Sequence, residues 1–89
     1  MERGMIAGPV FVTPHSVLAF QARIVPLAYE AARAAILEEI ATHVVSLRPA
    51  PSGAGVVVRT RGGRYAFRAL IGPGEGPLPA VITILRSGR

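Results

Sequence analysis

The stretch Val-Val-Val-Arg-Thr-Arg-Gly-Gly-Arg-Tyr-Ala-Phe-Arg-Ala, residues 56–69, decides the fold. Two runs rich in β-branched and aromatic residues flank Gly62-Gly63, the pattern of a hairpin closed by a two-residue turn. That register sets Arg61 opposite Arg64, Thr60 opposite Tyr65, Arg59 opposite Ala66, Val58 opposite Phe67 and Val57 opposite Arg68. Side chains alternate along a strand, so Val56, Val58, Thr60, Tyr65, Phe67 and Ala69 share one face, while Arg59, Arg61, Arg64 and Arg68 share the other. Like charges facing each other across a ladder cost about 0.2–1 kcal/mol per pair, so an all-arginine face is not what folding alone favours. It points to an anionic partner.

Working outward, residues 44–48 read as a further strand, 49–55 as a turn-rich connection with two Pro and two Gly, and 80–86 as a β-branched run that returns after the Pro/Gly segment 72–79. On the N-terminal side, 10–13 is a short extended lead-in, Thr13 is a helix N-cap with Pro14 at the first helical position, and this helix runs to about Ile24. Pro26 disfavours helical geometry at Val25, so a second helix starts beyond it, with Glu30 in its first turn, and reaches about Thr42. Tyr29, Ala32, Ile36 and Ile40 mark its buried stripe, with Glu30, Arg33, Glu38 and Glu39 mostly elsewhere. The expected fold is α+β: two N-terminal helices packed on one face of a three- to five-stranded antiparallel sheet, residues 1–89 forming a single domain. The helices must cover the face bearing Val56, Val58, Tyr65 and Phe67, which leaves the arginines looking outward.

Composition agrees with a small basic domain. The 89 residues carry a net charge of +5 and no Cys, which removes disulfides, thiol nucleophiles and thiolate metal sites together. Residues 1–39 hold three Arg against four Glu and residues 40–89 seven Arg against one Glu, so the C-terminal half is the basic half. Between Glu39 and Glu75 there is no acidic side chain to act as a local counterion for Arg48 or the hairpin arginines. The start of the chain is too weakly patterned for a signal peptide or a membrane span, and a cytoplasmic setting is expected. A hydrophobic content of 51% in so short a chain predicts a homodimer. The absence of Lys, Asn and Asp beside fourteen Ala fits a GC-rich genome and a thermophile.

Other chemistry finds little support. Two distant His, five Glu and no Cys or Asp give no metal-ligand spacing, so no metal and no cofactor are expected. The run Gly72-Pro73-Gly74-Glu75-Gly76-Pro77 mimics a phosphate loop only superficially, because its prolines lack amide donors, a strand follows it and the chain has no Lys. Ser16, Ser46, Ser52 and Ser87 lie in no nucleophile-elbow context. His15 and Arg23, eight residues apart on the first helix, share a face as a solvated pair, and His43 suits the C-terminus of the second helix. Tyr65 and Phe67 both face inward, so a nucleic acid would be held through its phosphates rather than by base stacking.

The order of features Pro14-His15-Ser16, Arg23-Ile24, Tyr29-Glu30-Ala31-Ala32, Gly63-Arg64-Tyr65 and Val81-Ile82-Thr83-Ile84 resembles the small uncharacterised domains related to RelE/ParE/BrnT-type bacterial toxins. An Arg common in that pattern four residues after the His is Ala19 here. The resemblance implies a compact α+β protein whose basic sheet face binds RNA, with ribonuclease activity, or an antitoxin segment. The expectation that follows is a toxin-like protein binding RNA or another polyanion through Arg59, Arg61, Arg64 and Arg68, with His15, Arg23 and Tyr65 as accessory residues and the catalytic residues unknown. The alternative is a non-enzymatic module whose basic face docks an acidic protein partner.

Overall fold

Thr13 opens the first helix as the sequence predicts: its backbone is extended, its Oγ1 accepts the Ser16 N–H at 3.1 Å, and Pro14 takes the first helical position. The elements run β1 (Phe11–Val12), α1 (Pro14–Arg23), α2 (Tyr29–Thr42), β2 (Val44–Pro49), β3 (Val56–Thr60), β4 (Phe67–Pro73) and β5 (Pro79–Arg86). This is a computed structural model and describes residues 9–51 and 53–87; the expectations for 1–8, for Ser52 and for 88–89 lie outside the described residues. Pro26 breaks the helical run as expected, and Gln21 Nε2 donates to the Leu27 carbonyl at 2.9 Å to hold the link between the helices.

The five strands form one sheet in the order β1-β5-β4-β3-β2. β2 to β5 pair antiparallel with one another, but β1 lies parallel to β5, pairing Phe11 with Ala80 and Val12 with Val81, so the sheet is mixed rather than purely antiparallel. The reason lies at Thr13, whose N–H and hydroxyl both donate to the Val81 carbonyl, at 3.4 and 2.7 Å. This fork fixes the start of α1 on β5, and the short strand leading into it follows β5's direction. Past Val81 the same edge of β5 has no strand beside it among the described residues. There Arg23 Nη1 donates to the Ile84 carbonyl at 2.9 Å, a side chain satisfying a group that an edge strand would leave bare.

The hairpin is also built differently from its sequence reading. Val58 pairs with Ala69 and Arg59 with Arg68, not with Phe67 and Ala66, and residues 61–66 form a longer loop in place of a two-residue turn. Thr60 is fully buried, and its hydroxyl donates to the Tyr65 carbonyl at 3.2 Å and accepts the Phe67 N–H at 3.1 Å, so the side chain takes over pairing that the ladder would have supplied. The register slips by two residues, and an even slip leaves each side chain that stays in the ladder on its face, whereas Arg61 and Arg64 leave the sheet face for the loop. The separation of apolar and basic faces therefore survives the change of partners.

Both helices pack on the apolar face. Val17 and Phe20 of α1 and Ala32, Ile36 and Ile40 of α2 meet Val58, Phe67, Ala69, Ile71, Val81 and Ile84 of the sheet. Phe20 is at the centre, with its ring edge-to-face against Tyr65 at 5.5 Å and Phe67 at 5.8 Å, an arrangement worth about 0.5–1.5 kcal/mol per pair beyond area burial. The stripe on α2 differs from expectation at two positions: Tyr29 is exposed, and Glu39 is buried. Truncating Phe20 to Ala removes a fully buried ring and both edge-to-face contacts, so denaturant titration should show a loss of about 3–5 kcal/mol, much of the stability of a domain this size.

Candidate functional site

On the open face of the sheet Arg59 and Arg68 stand directly opposite each other on β3 and β4. Ser46 on β2 is the next residue across from Arg59, Leu85 on β5 the next across from Arg68, and Arg48 pairs with Val57 two residue pairs along, on the same face. Ser46, Arg48, Val57, Arg59 and Arg68 line a shallow cleft of about 370 Å³. Arg59 Nη1 donates to the Ser87 carbonyl at 3.3 Å and Arg68 Nε to the Arg86 carbonyl at 2.9 Å. Backbone carbonyls orient the two guanidinium groups without neutralising them, and most of each group's N–H donors stay unclaimed. The ion pairs among the described residues are Arg33 with Glu30 at 3.9 Å and His43 with Glu39 at 3.4 Å, and neither involves the cleft.

The four hairpin arginines thus divide into two sets. Arg59 and Arg68 are half-buried in the cleft, whereas Arg61 and Arg64 are exposed on the 61–66 loop at the same end of the sheet. Arg48 joins the cleft although the sequence reading noted only its lack of a counterion; once β2 pairs antiparallel with β3, strand alternation puts it on the basic face. Arg23 and His15 do not join. Arg23 binds carbonyl Ile84 on β5, and His15 is exposed in the first turn of α1, in the helical layer on the far side of the sheet. Tyr65 faces inward as expected and packs on Phe20.

The feature that sequence reasoning missed is Glu39. It is 2% exposed, and its Oε2 accepts the backbone N–H groups of Arg64 at 2.9 Å and Tyr65 at 3.3 Å. Its Oε1 is buried with no hydrogen-bond partner and lies 3.4 Å from Nδ1 of His43, one helical turn on. The loop closes over this pair: the Arg61 N–H donates to the His43 carbonyl at 3.0 Å, and Gly62 takes a left-handed φ of 96°. A signal was present in the sequence, because Glu39 follows Ile36 by three residues and therefore lies on the buried stripe of α2.

A second depression, about 640 Å³, opens between β1 and the 74–78 loop, with Phe11, Pro73, Leu78 and Ile82 in its walls. Among the described residues no group of three or more His, Asp or Glu could hold a metal ion, and no helix is long and apolar enough to cross a membrane.

The Glu39 contact predicts a strict requirement at Gly63. A Cβ there would lie 2.8 Å from His43 Nδ1 and 2.9 Å from Glu39 Cδ, whereas one at Gly76 would meet nothing within 4 Å. Gly63→Ala should therefore lower stability by about 1–3 kcal/mol in a denaturant titration, with Gly76→Ala within about 0.5 kcal/mol of the parent. Compared with protein-family models, with curated proteins and with solved structures, the chain gives no match.

Proposed function

We propose that the protein binds RNA, or a similar phosphate-bearing polymer, across the open face of its sheet. The observation that carries this reading is the Arg59–Arg68 rung: two guanidinium groups directly opposed, flanked by Arg48, with no carboxylate paired to any of them among the described residues. A guanidinium presents parallel N–H donors that match two phosphate oxygens at once, and a bound phosphate removes the repulsion that the rung otherwise carries. Arg61 and Arg64 extend the basic surface past the end of the strands. The cleft itself is lined by arginines, Ser46 and Val57, so it is suited to holding a phosphate rather than to moving a proton. Sequence selectivity is expected to be low, because the aromatic residues of the hairpin pack inward and offer no stacking platform.

A second reading has one observation behind it. β2 is an edge strand with Val45 exposed and Arg48 beside it, which suits addition of a strand from an acidic protein partner such as an antitoxin-like segment. The two readings separate in one titration. With fluorescent single-stranded RNA over a salt series, phosphate contacts through three to five arginines should give a log–log slope of about −2 to −3.5. Arg59→Glu combined with Arg68→Glu should abolish binding and leave the thermal midpoint close to the parent's, since one like-charged pair across the rung replaces another. If RNA fails to bind at low salt while an acidic peptide binds, the strand-addition reading replaces the first.

A further inference from the structure

Strands β4 and β5 are apolar on both faces, in Ala69-Leu70-Ile71 and Ala80-Val81-Ile82-Thr83-Ile84-Leu85, a pattern typical of strands covered on both sides, yet the helices cover only one. Val58, Ala69, Ile71, Val81 and Ile84 point into the core. By alternation their neighbours Val57, Leu70, Gly72, Ile82 and Leu85 lie on the open face, the face of Arg59 and Arg68. Ile82 Cδ1 lies 3.1 Å from where a Cβ on Gly72 would stand, so its side chain covers that glycine.

The arginine cleft takes up one end of this face. At the other end Phe11, Leu78, Ala80 and Ile82 help to enclose the hollow of about 640 Å³, a size usual for small-molecule sites. Phe11 and Ala80 pair with each other and precede the core residues Val12 and Val81, which puts both on the open face. The 74–78 loop folds over them, because a Cβ on Gly74 would lie 3.0 Å from that of Ala80. Val57 and Leu70, a cross-strand pair, lie between the cleft and the hollow. Four residues of β4 from Arg68 to Gly72, and the step across to β5 and β1, separate the two by about 15 Å.

We infer that the open face binds a single-chain amphiphile, with its phosphate head on Arg59 and Arg68 and its alkyl chain running over Val57 and Leu70 into the hollow. This goes beyond the RNA reading: it shares the arginine cleft and uses the apolar half of the face, which a phosphate polymer leaves unfilled. Charge fixes the direction, since guanidinium groups stand at one end and Glu75, an exposed carboxylate, on the wall of the hollow at the other. An extended chain of about a dozen carbons spans the distance. A second copy of the protein laid on this face would cover Arg48, Arg59 and Arg68 with Glu75 as the one carboxylate there among the described residues, a poor balance for buried charge. A bilayer surface is flat, whereas both sites are concave.

The test is calorimetric titration of the full chain with dodecyl phosphate below its micelle concentration, beside octyl phosphate, inorganic phosphate and dodecyl maltoside, with RNA affinity read in parallel. Dodecyl phosphate should bind one per chain and at least about tenfold more tightly than octyl phosphate, because each buried methylene is worth about fourfold. Inorganic phosphate and the maltoside should bind more weakly still. Arg59→Gln with Arg68→Gln should weaken dodecyl phosphate about tenfold or more. Phe11→Ser with Leu78→Ser, both exposed positions, should do the same and leave RNA affinity within about twofold of the parent. Should that variant fail to fold, the chain-length series decides alone. Affinity that ignores chain length, or either substitution pair, overturns the inference. So does binding to phosphatidylglycerol vesicles without binding of the monomeric amphiphile, or a dimer in sedimentation that Phe11→Ser with Leu78→Ser separates. RNA binding without amphiphile binding overturns this inference alone, and failure of RNA, inorganic phosphate and dodecyl phosphate together overturns both.

Discussion

The buried carboxylate of Glu39 is the constraint on which the rest of the hairpin depends. A carboxylate removed from water loses hydration that must be replaced by hydrogen bonds, and here two backbone N–H groups of the 61–66 loop replace part of it. Those two groups belong to Arg64 and Tyr65, the residues that a tight turn would have placed in the β3–β4 ladder. Once they turn toward α2, the loop lengthens, the register slips by two, and Tyr65 is released to pack its ring on Phe20. Gly63 has to stay without a side chain because the carboxylate and the His43 ring occupy the space beside it. One polar contact between helix and loop thus sets the pairing of the two central strands and the shape of the core beneath them.

The basic face follows a different logic. Arg59 opposite Arg68 is unfavourable by itself, and the structure reduces that cost only by aiming the two side chains at the Ser87 and Arg86 carbonyls. A carbonyl orients a cation and leaves its full charge in place. Lysines would have been free to swing apart into solvent, whereas the planar guanidinium, tied at one edge, keeps its remaining donors in a fixed plane. Pre-orientation of this kind lowers the entropy lost on binding an anion, which is the physical ground for reading the cleft as a binding surface and not as an incidental feature of a solvated sheet.

Much of this was legible in the sequence because it depends on short-range rules. The cap at Thr13, the break at Pro26, the length of α2 and the two faces of the hairpin all follow from local residue patterns, and the observed elements match them. For Arg59 and Arg68 the face assignment held even though the pairing was misjudged, since alternation is insensitive to an even slip, while Arg61 and Arg64 moved to the loop. What the sequence concealed were contacts between residues far apart along the chain: Glu39 with Arg64 and Tyr65, Thr13 with Val81, and Arg23 with Ile84. A glutamate on a helix is ordinarily solvated, so its place on the apolar stripe carried too little weight against its charge. The same habit kept His43 apart from the arginines, although Val44 and Thr60 bring them to one end of the sheet.

Surface charge and fold are separable at the Arg59–Arg68 rung and inseparable at Glu39. The rung adds nothing to the core, so the surface can change its charge while the fold remains. Glu39 at once shapes the loop that carries Arg61 and Arg64 and lies beside Nδ1 of His43, so any group placed there must fill a buried cavity, accept two N–H donors and face an imidazole. An apolar residue of similar size would meet the first demand and fail the other two, leaving a pair of donors stranded. Glutamine could keep an acceptor for the loop, but it would put a neutral amide where the imidazole now meets a carboxylate. Folding fixes a polar acceptor at this position.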